Sequence, residues 1–390
     1  MKIIENINRL GTETAFKVLA EAKKLEKEGK EIIHLNLGQP DFKTSNYIVD
    51  ATIKALKDGH HGYVLPQGTI ECREAVSRKI KSLYNADISS ERIVIMPGGK
   101  PTMYYAITLF GEPGTEIIYP DPGFPIYESM INYTGAKAVP VNMLENKDFS
   151  INPEKVLSLI NKNTRLIILN NPNNPTGGFT EKNKIDQLAE GLKNFPHVVI
   201  LSDEIYSRQI FDGKKMPTFF NYPDLYDRLI ILDGWSKAYS MTGWRLGWGV
   251  WPEKLIEHVV KFCINNHSCV NAAVQFGGIA ALDGPENELN TMLEKFVLRR
   301  KLIVDGLNNL KGVECSLPGG AFYAFPNIKG TGMTGEEFTR KCLHEAGVAV
   351  VHGRAFGKLA EDYVRFSFAA SRENISKALE KINKMLHYLI

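Results

Sequence analysis

Cysteine is scarce in this sequence, and the five present (Cys72, Cys263, Cys269, Cys315 and Cys342) form no Cys-x-x-Cys pair. An odd number at such spacings excludes a disulfide framework and predicts reduced, mostly buried thiols. Histidine offers a metal no better foothold: His60 and His61 are adjacent and the others scattered, so no structural metal is expected. Neither sign of charge dominates. The 47 basic and 44 acidic residues leave +3 with no long basic stripe, which argues against a nucleic-acid partner. No uncharged apolar run approaches the roughly 18 residues of a membrane helix, and the first residues lack the apolar core of a secretion signal. The expectation is a cytoplasmic protein with no membrane partner. Low-complexity tracts and internal repeats are absent too.

What is there is an ordinary globular composition, 44% hydrophobic and 23% charged. At 390 residues the chain is too long for one small core and predicts two domains. Over 13–29, Ala15, Phe16, Leu19, Ala22 and Leu25 recur at three-to-four spacing, an amphipathic surface helix with Gly29 as its stop. A short strand over 32–37 leads into Gly38-Gln39-Pro40-Asp41-Phe42, and a helix follows over 47–58. From Arg92 onward, apolar runs at 93–96, 116–119, 138–141, 166–169, 198–201, 229–232 and 247–250 alternate with helices. Runs that are continuous rather than alternating predict strands buried on both faces of a mainly parallel sheet. Ligands then gather beyond the carboxyl ends of the strands. The residues that follow these runs carry the interesting chemistry: Gly98-Gly99-Lys100, Phe124, Asn174, Asp203 and Lys237.

Beyond about residue 285 a helix-rich stretch carries Arg299-Arg300-Lys301, read as a solvated face. A helix at 335–346, strands at 348–351 and 364–368 and a last helix complete a smaller α/β unit. The expected fold is therefore α/β, with a mainly parallel central sheet flanked by helices in a large domain. That domain spans 46–285, and a smaller α/β domain is formed by 1–45 and 286–390. Residues 330–335 match the dinucleotide pattern Gly-x-Gly-x-x-Gly, but Thr334 and Glu337 explain the same loop as a capping box at a helix start.

Four stretches suggest chemistry. Between Ser236 and Gly247, Lys237 stands among small residues with Arg245 eight positions on, a pattern suited to a buried amine joined to a carbonyl cofactor whose phosphate the arginine holds. A free lysine is neutral in fewer than about one molecule in a thousand at pH 7, so such an amine needs burial or a neighbouring cation. A solvated loop lysine is the bland alternative. Gly98-Gly99-Lys100 follows a strand and opens a helix, where backbone amides can hold a phosphate; a mere turn explains the glycines equally well. Residues 170–178 form a rigid polar loop in which Asn174 can hydrogen-bond a ligand without adding charge. Asp203 follows an apolar run, where a carboxylate is costly unless a cation such as a protonated ring nitrogen pairs with it.

Taken in order, Gly38-Gln39-Pro40-Asp41-Phe42, Tyr63 within its Gly-Tyr-Val-Leu-Pro context, Gly98-Gly99-Lys100, Asn173-Asn174-Pro175, Ser202-Asp203-Glu204-Ile205-Tyr206, Ser236-Lys237 through Arg245, and Val364-Arg365-Phe366-Ser367 resemble the fold-type I aminotransferases that use pyridoxal 5'-phosphate. The similarity runs from about residue 35 to the C-terminus. It implies that Lys237 carries the cofactor as a Schiff base and then moves the substrate α-proton. Asp203 would pair with the ring nitrogen, Asn174 and Tyr206 would bond the ring oxygen, and Phe124 would stack on the ring, with core packing as its rival. Gly99, Lys100, Ser236 and Arg245 would surround the phosphate, with Tyr63 arriving from the second subunit of a homodimer with shared active sites. Gly234 stands where many members have a phosphate-binding serine or threonine. Arg365 would grip the substrate carboxylate, assisted by the backbone of Gly38 and by Asn174. The implied reaction moves an amino group between an L-amino acid and a 2-oxo acid by a ping-pong route, with glutamate and 2-oxoglutarate as one pair. A β-elimination lyase on the same fold and a cofactor-binding regulator without turnover are the rivals. The donor side chain is not legible, with His267 and Lys100 as candidates for a basic residue that reads it.

Overall fold

The computed structural model describes residues 3–144 and 148–387. All seven apolar runs become strands: β2 (Ile93–Met96), β3 (Glu116–Asp121), β4 (Lys137–Asn142), β5 (Thr164–Asn170), β6 (Val199–Asp203), β7 (Leu229–Gly234) and β8 (Gly247–Val250), after a two-residue β1 (Ile33–His34). They form one sheet in the order β2-β8-β7-β6-β5-β3-β4. Every neighbouring pair from β7 to β4 is parallel, and β8 alone runs against both its neighbours.

Side chains alternate across each strand, so a continuous apolar run feeds two cores at once. Ile95, Ile118, Ile167, Ile200 and Ile231 point to a core shared with the helices Ile70–Tyr84 and Lys182–Leu192. Val94, Ile117, Ile168, Leu201 and Ile230 point to the other, shared with Lys100–Phe110, Ile126–Thr134 and Ile256–Asn266.

A further core joins Ile33 and Leu35 to residues from Leu289 to Leu386 and also takes in Tyr206, Phe211 and Ala238. Its strands are β9 (Tyr323–Ala324), β10 (Val348–Ala349), β11 (Val351–His352) and β12 (Val364–Ser367). β1 pairs parallel with β10, and β12 lies between β11 and β9. The N-terminal segment is thus tied to the C-terminal part by a backbone ladder. The strand expected over 32–37 keeps only Ile33–His34, because the chain then turns into the cleft described below.

Two expectations are corrected. The helix Thr14–Lys27 buries Val18, Ala22 and Leu25, whereas Phe16 is 56% exposed and turns to the cleft. Arg299 and Arg300 are not a solvated face: both are buried, bonded by two contacts each to Asp41 and Asp212 respectively, and only Lys301 of the run is exposed. Paired charge makes that burial tolerable. The capping box of Thr334 and Glu337 is present as expected, and the loop before it is a helix start. The five cysteines are free thiols, four of them buried. No described helix is long and apolar enough to cross a membrane.

Candidate active site

The carboxyl ends of β2, β3, β5, β6 and β7 border a cleft of about 520 Å³. Since β8 runs the other way, its amino end lies at the same edge and brings Arg245 there. Of the twelve residues to which the resemblance gives a role, eleven line the cleft: Gly38, Gly99, Lys100, Phe124, Asn174, Asp203, Tyr206, Ser236, Lys237, Arg245 and Arg365. Tyr63 does not; it is 92% exposed.

Lys237 lies on the short helix Trp235–Ala238 that follows β7. Trp235 anchors the turn, fully buried and donating Nε1–H to the Gly278 carbonyl at 2.9 Å. The Lys237 ammonium donates to the Gly38 carbonyl at 2.6 Å. Burial first, then the positive charges of Arg365 and Arg245, bring its pKa down to about 8. About a tenth of such amines are neutral at pH 7, some hundredfold more than for a free lysine.

Asp203 ends β6 and is buried. Its Oδ2 accepts a 2.5 Å bond from the Tyr127 hydroxyl and its Oδ1 a 3.2 Å bond from the Ile205 amide. Burial pushes its pKa up to about 6 against the pull of the Tyr127 bond. Both side-chain bonds come from neutral donors, so a cation beside it is what would make the ionised form stable. The Asn170 side chain fastens the next loop, donating to the Asp203 carbonyl at 3.1 Å and accepting from the Asn174 amide at 2.9 Å. The hydroxyls of Tyr206 and Tyr323 meet at 2.7 Å.

Arg365, on β12, is buried, and among the described residues it has no carboxylate partner. It donates to Asn174 Oδ1 at 3.0 Å and to the Asn36 carbonyl at 2.5 Å, while its Nε has no partner among the described residues. The rings of Tyr323 and Phe356 flank the guanidinium, each 4.6 Å from it. Burial lowers its pKa from the ordinary arginine value. A planar cation with an unused donor suits a ligand carboxylate.

Three glycines let backbones meet beside Arg245. A Cβ on Gly98, whose φ is +87°, would stand 2.2 Å from the Arg245 guanidinium. A Cβ on Gly247 would strike the Gly98 carbonyl carbon at 2.5 Å, and one on Gly234 the Gly247 Cα at 2.8 Å. Close packing of β7 on β8 therefore explains the glycine at 234, where a hydroxyl side chain has no room. Arg245 bonds to the carbonyls of Thr242 at 2.7 Å and Pro97 at 3.4 Å. The Lys100 ammonium pairs with Glu13, so what Lys100 turns to the loop of Gly98 and Gly99 is its backbone, the first residue of the helix Lys100–Phe110.

The sequence profile of aminotransferase class I and II matches residues 30–382. This chain belongs to the class I and II aminotransferases. It is 38% identical to an aspartate aminotransferase of Pyrococcus horikoshii over 92% of this chain and 91% of that protein. It is 35% identical to a (5-formylfuran-3-yl)methyl phosphate transaminase of Methanocaldococcus jannaschii over 95% of both. Among solved structures, the aspartate aminotransferase of Rhizobium meliloti superposes with a TM-score of 0.94 at 31% identity, covering 99% of each chain.

The cleft of this aminotransferase is also lined by residues that the sequence did not single out. Tyr127 was one helical turn beyond Phe124, but its partner Asp203 is 76 residues away and nothing local announces the bond. Tyr323 was given no role, although the Gly38 backbone passes so close that a Cβ there would stand 1.9 Å from its hydroxyl oxygen. Phe16 lines the cleft from the helix Thr14–Lys27 and Glu13 from just before it, and Phe356 from the end of the 3-10 helix Gly353–Phe356. His267 does not line it: its ring meets the Tyr105 hydroxyl at 3.3 Å behind the helix that Lys100 opens.

Proposed function

We propose that this aminotransferase holds pyridoxal 5'-phosphate in the cleft and moves an amino group from an L-amino acid to a 2-oxo acid in two half-reactions, with glutamate and 2-oxoglutarate as one pair. One observation carries the reading. A buried amine of lowered pKa, a buried carboxylate bonded only to neutral donors, and a buried arginine with an unused donor face the same cavity.

The side chains present suit the cofactor. Arg245, Ser236 and the amides at the start of the helix Lys100–Phe110 would hold its phosphate. Asp203 would pair with the ring nitrogen, and its costly burial is then repaid by a cation. Asn174 and Tyr206 would bond the ring oxygen, and Phe124 would lie on the ring. When bound, the cofactor supplies an electron sink that acidifies the substrate α-hydrogen. Lys237 Nζ would be the base that takes this proton and the acid that returns it. Arg365 fixes the α-carboxylate through parallel N–H donors, and the flanking rings of Tyr323 and Phe356 keep water from that pair.

Relatives of nearly equal identity carry the names of an aspartate and a furanylmethyl phosphate aminotransferase, so overall similarity does not select the donor. A homodimer is part of this reading. Tyr63 at 92% and Leu65 at 57% exposure stand free on the single chain, in keeping with a place beside the neighbouring subunit's phosphate. So is a division into a large domain, 46–285, and a small one, 1–45 with 286–390, which the core joining Ile33 and Leu35 to the C-terminal part supports.

The test is a half-reaction. Cofactor-loaded protein given L-glutamate and no acceptor should release one 2-oxoglutarate per subunit and stop, then resume when a 2-oxo acid is added. Release of ammonia without limit, or no release at all, would contradict the reading.

A further inference from the structure

Glu13 and Lys100 form an ion pair at the cleft between segments 87 residues apart. Glu13 immediately precedes the helix Thr14–Lys27, yet its carboxylate does not cap that helix. It reaches Lys100 instead. The Glu13 side chain is 16% exposed and that of Lys100 46%. The same ammonium lies 6.0 Å from the ring centre of Phe16 and 5.4 Å from that of Phe124. All four residues line the cavity that holds Lys237 and Arg365, and the Glu13 charge is felt at both of those cations.

Six charged side chains line the cavity among the described residues. Lys237, Asp203, Arg245 and Arg365 have roles in the reading above. Lys100 is then the one cation left to meet a carboxylate on a substrate side chain, and Glu13 is the one anion left to contest it. With Glu13 in place, a second carboxylate brought to Lys100 meets a like charge as well as an occupied partner. An uncharged side chain meets no such cost and finds the rings of Phe16 and Phe124 beside the pair. Resting on the assignment of the α-carboxylate to Arg365, we propose that Glu13 determines substrate specificity by competing for Lys100. It remains paired when an aromatic or aliphatic substrate is bound, and it must leave when the substrate carries a side-chain carboxylate. Every turnover that pairs glutamate with an uncharged donor then takes Glu13 through both positions.

The pair is partly exposed, so its competition is modest, about three- to fivefold in affinity. Two non-reacting ligands read it without turnover: succinate, with a second carboxylate, and 3-phenylpropionate, with a ring. Their binding to the cofactor-loaded enzyme is measured by calorimetry. In Glu13→Gln the affinity for succinate relative to 3-phenylpropionate should rise about three- to fivefold. Adding Lys100→Gln should erase that gain, which a merely structural role for Glu13 does not predict. An unchanged ratio in Glu13→Gln, a shift toward 3-phenylpropionate, or a gain that survives loss of Lys100 would overturn the proposal. Arg365→Leu separates this from the underlying reading. If that variant binds both ligands as well as the unaltered enzyme, the carboxylate assignment fails and the inference falls with it. If it loses both while the Glu13→Gln ratio stays flat, only the inference falls.

Discussion

A lysine becomes a usable base where its charge is made costly, and Lys237 meets that condition through burial and two arginines, not through a nearby acid. At Arg365, the surroundings lead us to expect that another cation would not serve. Its guanidinium is held on one edge by Asn174 and the Asn36 carbonyl and on its faces by two rings, which leaves an oriented donor edge that a lysine ammonium cannot reproduce. Arg365→Lys is expected to weaken every amino-acid substrate by a similar factor, roughly tenfold or more, because all share the α-carboxylate. Steady-state KM values across acidic, aromatic and aliphatic donors check this, and an effect confined to one donor would place Arg365 at the side-chain pocket. At this scale, residues inside recognisable local patterns were legible: Lys237 with Arg245, Asp203 after its apolar run, Arg365 between Val364 and Phe366. Tyr127 and Glu13 were not, since each acts through a partner 76 or 87 residues distant. Arg299 and Arg300 read as solvent-facing for the same reason, their acids lying 258 and 88 residues away.

Strands were the most legible elements, because a run that must face two cores is apolar throughout and leaves little ambiguity. The helix Ile70–Tyr84 was passed over. Its buried Cys72, Ala75, Val76 and Ile80 are interleaved with charges, although Thr69 caps it by accepting from the Cys72 amide. What sequence alone did not reveal is how closely β2, β8 and β7 approach at the cleft, a matter of three glycines far apart in the chain. Gly98→Ala tests that contact. Its backbone is left-handed, which costs a side chain about 1 kcal/mol or more, and the new methyl would displace the Arg245 guanidinium. The expected result is cofactor affinity reduced by roughly tenfold or more, the equivalent of one lost charged hydrogen bond. Spectroscopic titration with pyridoxal 5'-phosphate measures it, and unchanged affinity would mean that Arg245 does not serve the phosphate.

For the whole molecule, the cleft draws on segments far apart in the chain: Gly38 and Glu13 from its start, Asp203 and Lys237 from the central sheet and the helix that follows it, Arg365 from β12. The parallel fold was legible from the rhythm of the runs, but the return of the N-terminal segment to the C-terminal part depends on β1 pairing with β10 across more than 300 residues. Subunit sharing is open to complementation. Chains carrying Lys237→Ala and chains carrying Tyr63→Ala, each impaired alone, should recover activity when unfolded and refolded together, because a hybrid dimer contains one whole site. Lys237→Ala mixed with Arg365→Ala should not recover, since both lie in one cleft of one chain. Recovery in neither mixture would mean that each chain builds its own site.

The central claim, that the Lys237 amine is the attachment point for the cofactor, is tested most directly by borohydride reduction of the protein after incubation with pyridoxal 5'-phosphate, followed by peptide mapping. One cofactor per chain is expected, on the peptide that contains Lys237, with an initial rate of attachment to cofactor-free protein that rises with pH through a midpoint of about 8 as the ammonium loses its proton. Label spread over surface lysines, or label retained in Lys237→Ala at the level of the unaltered protein, would contradict it.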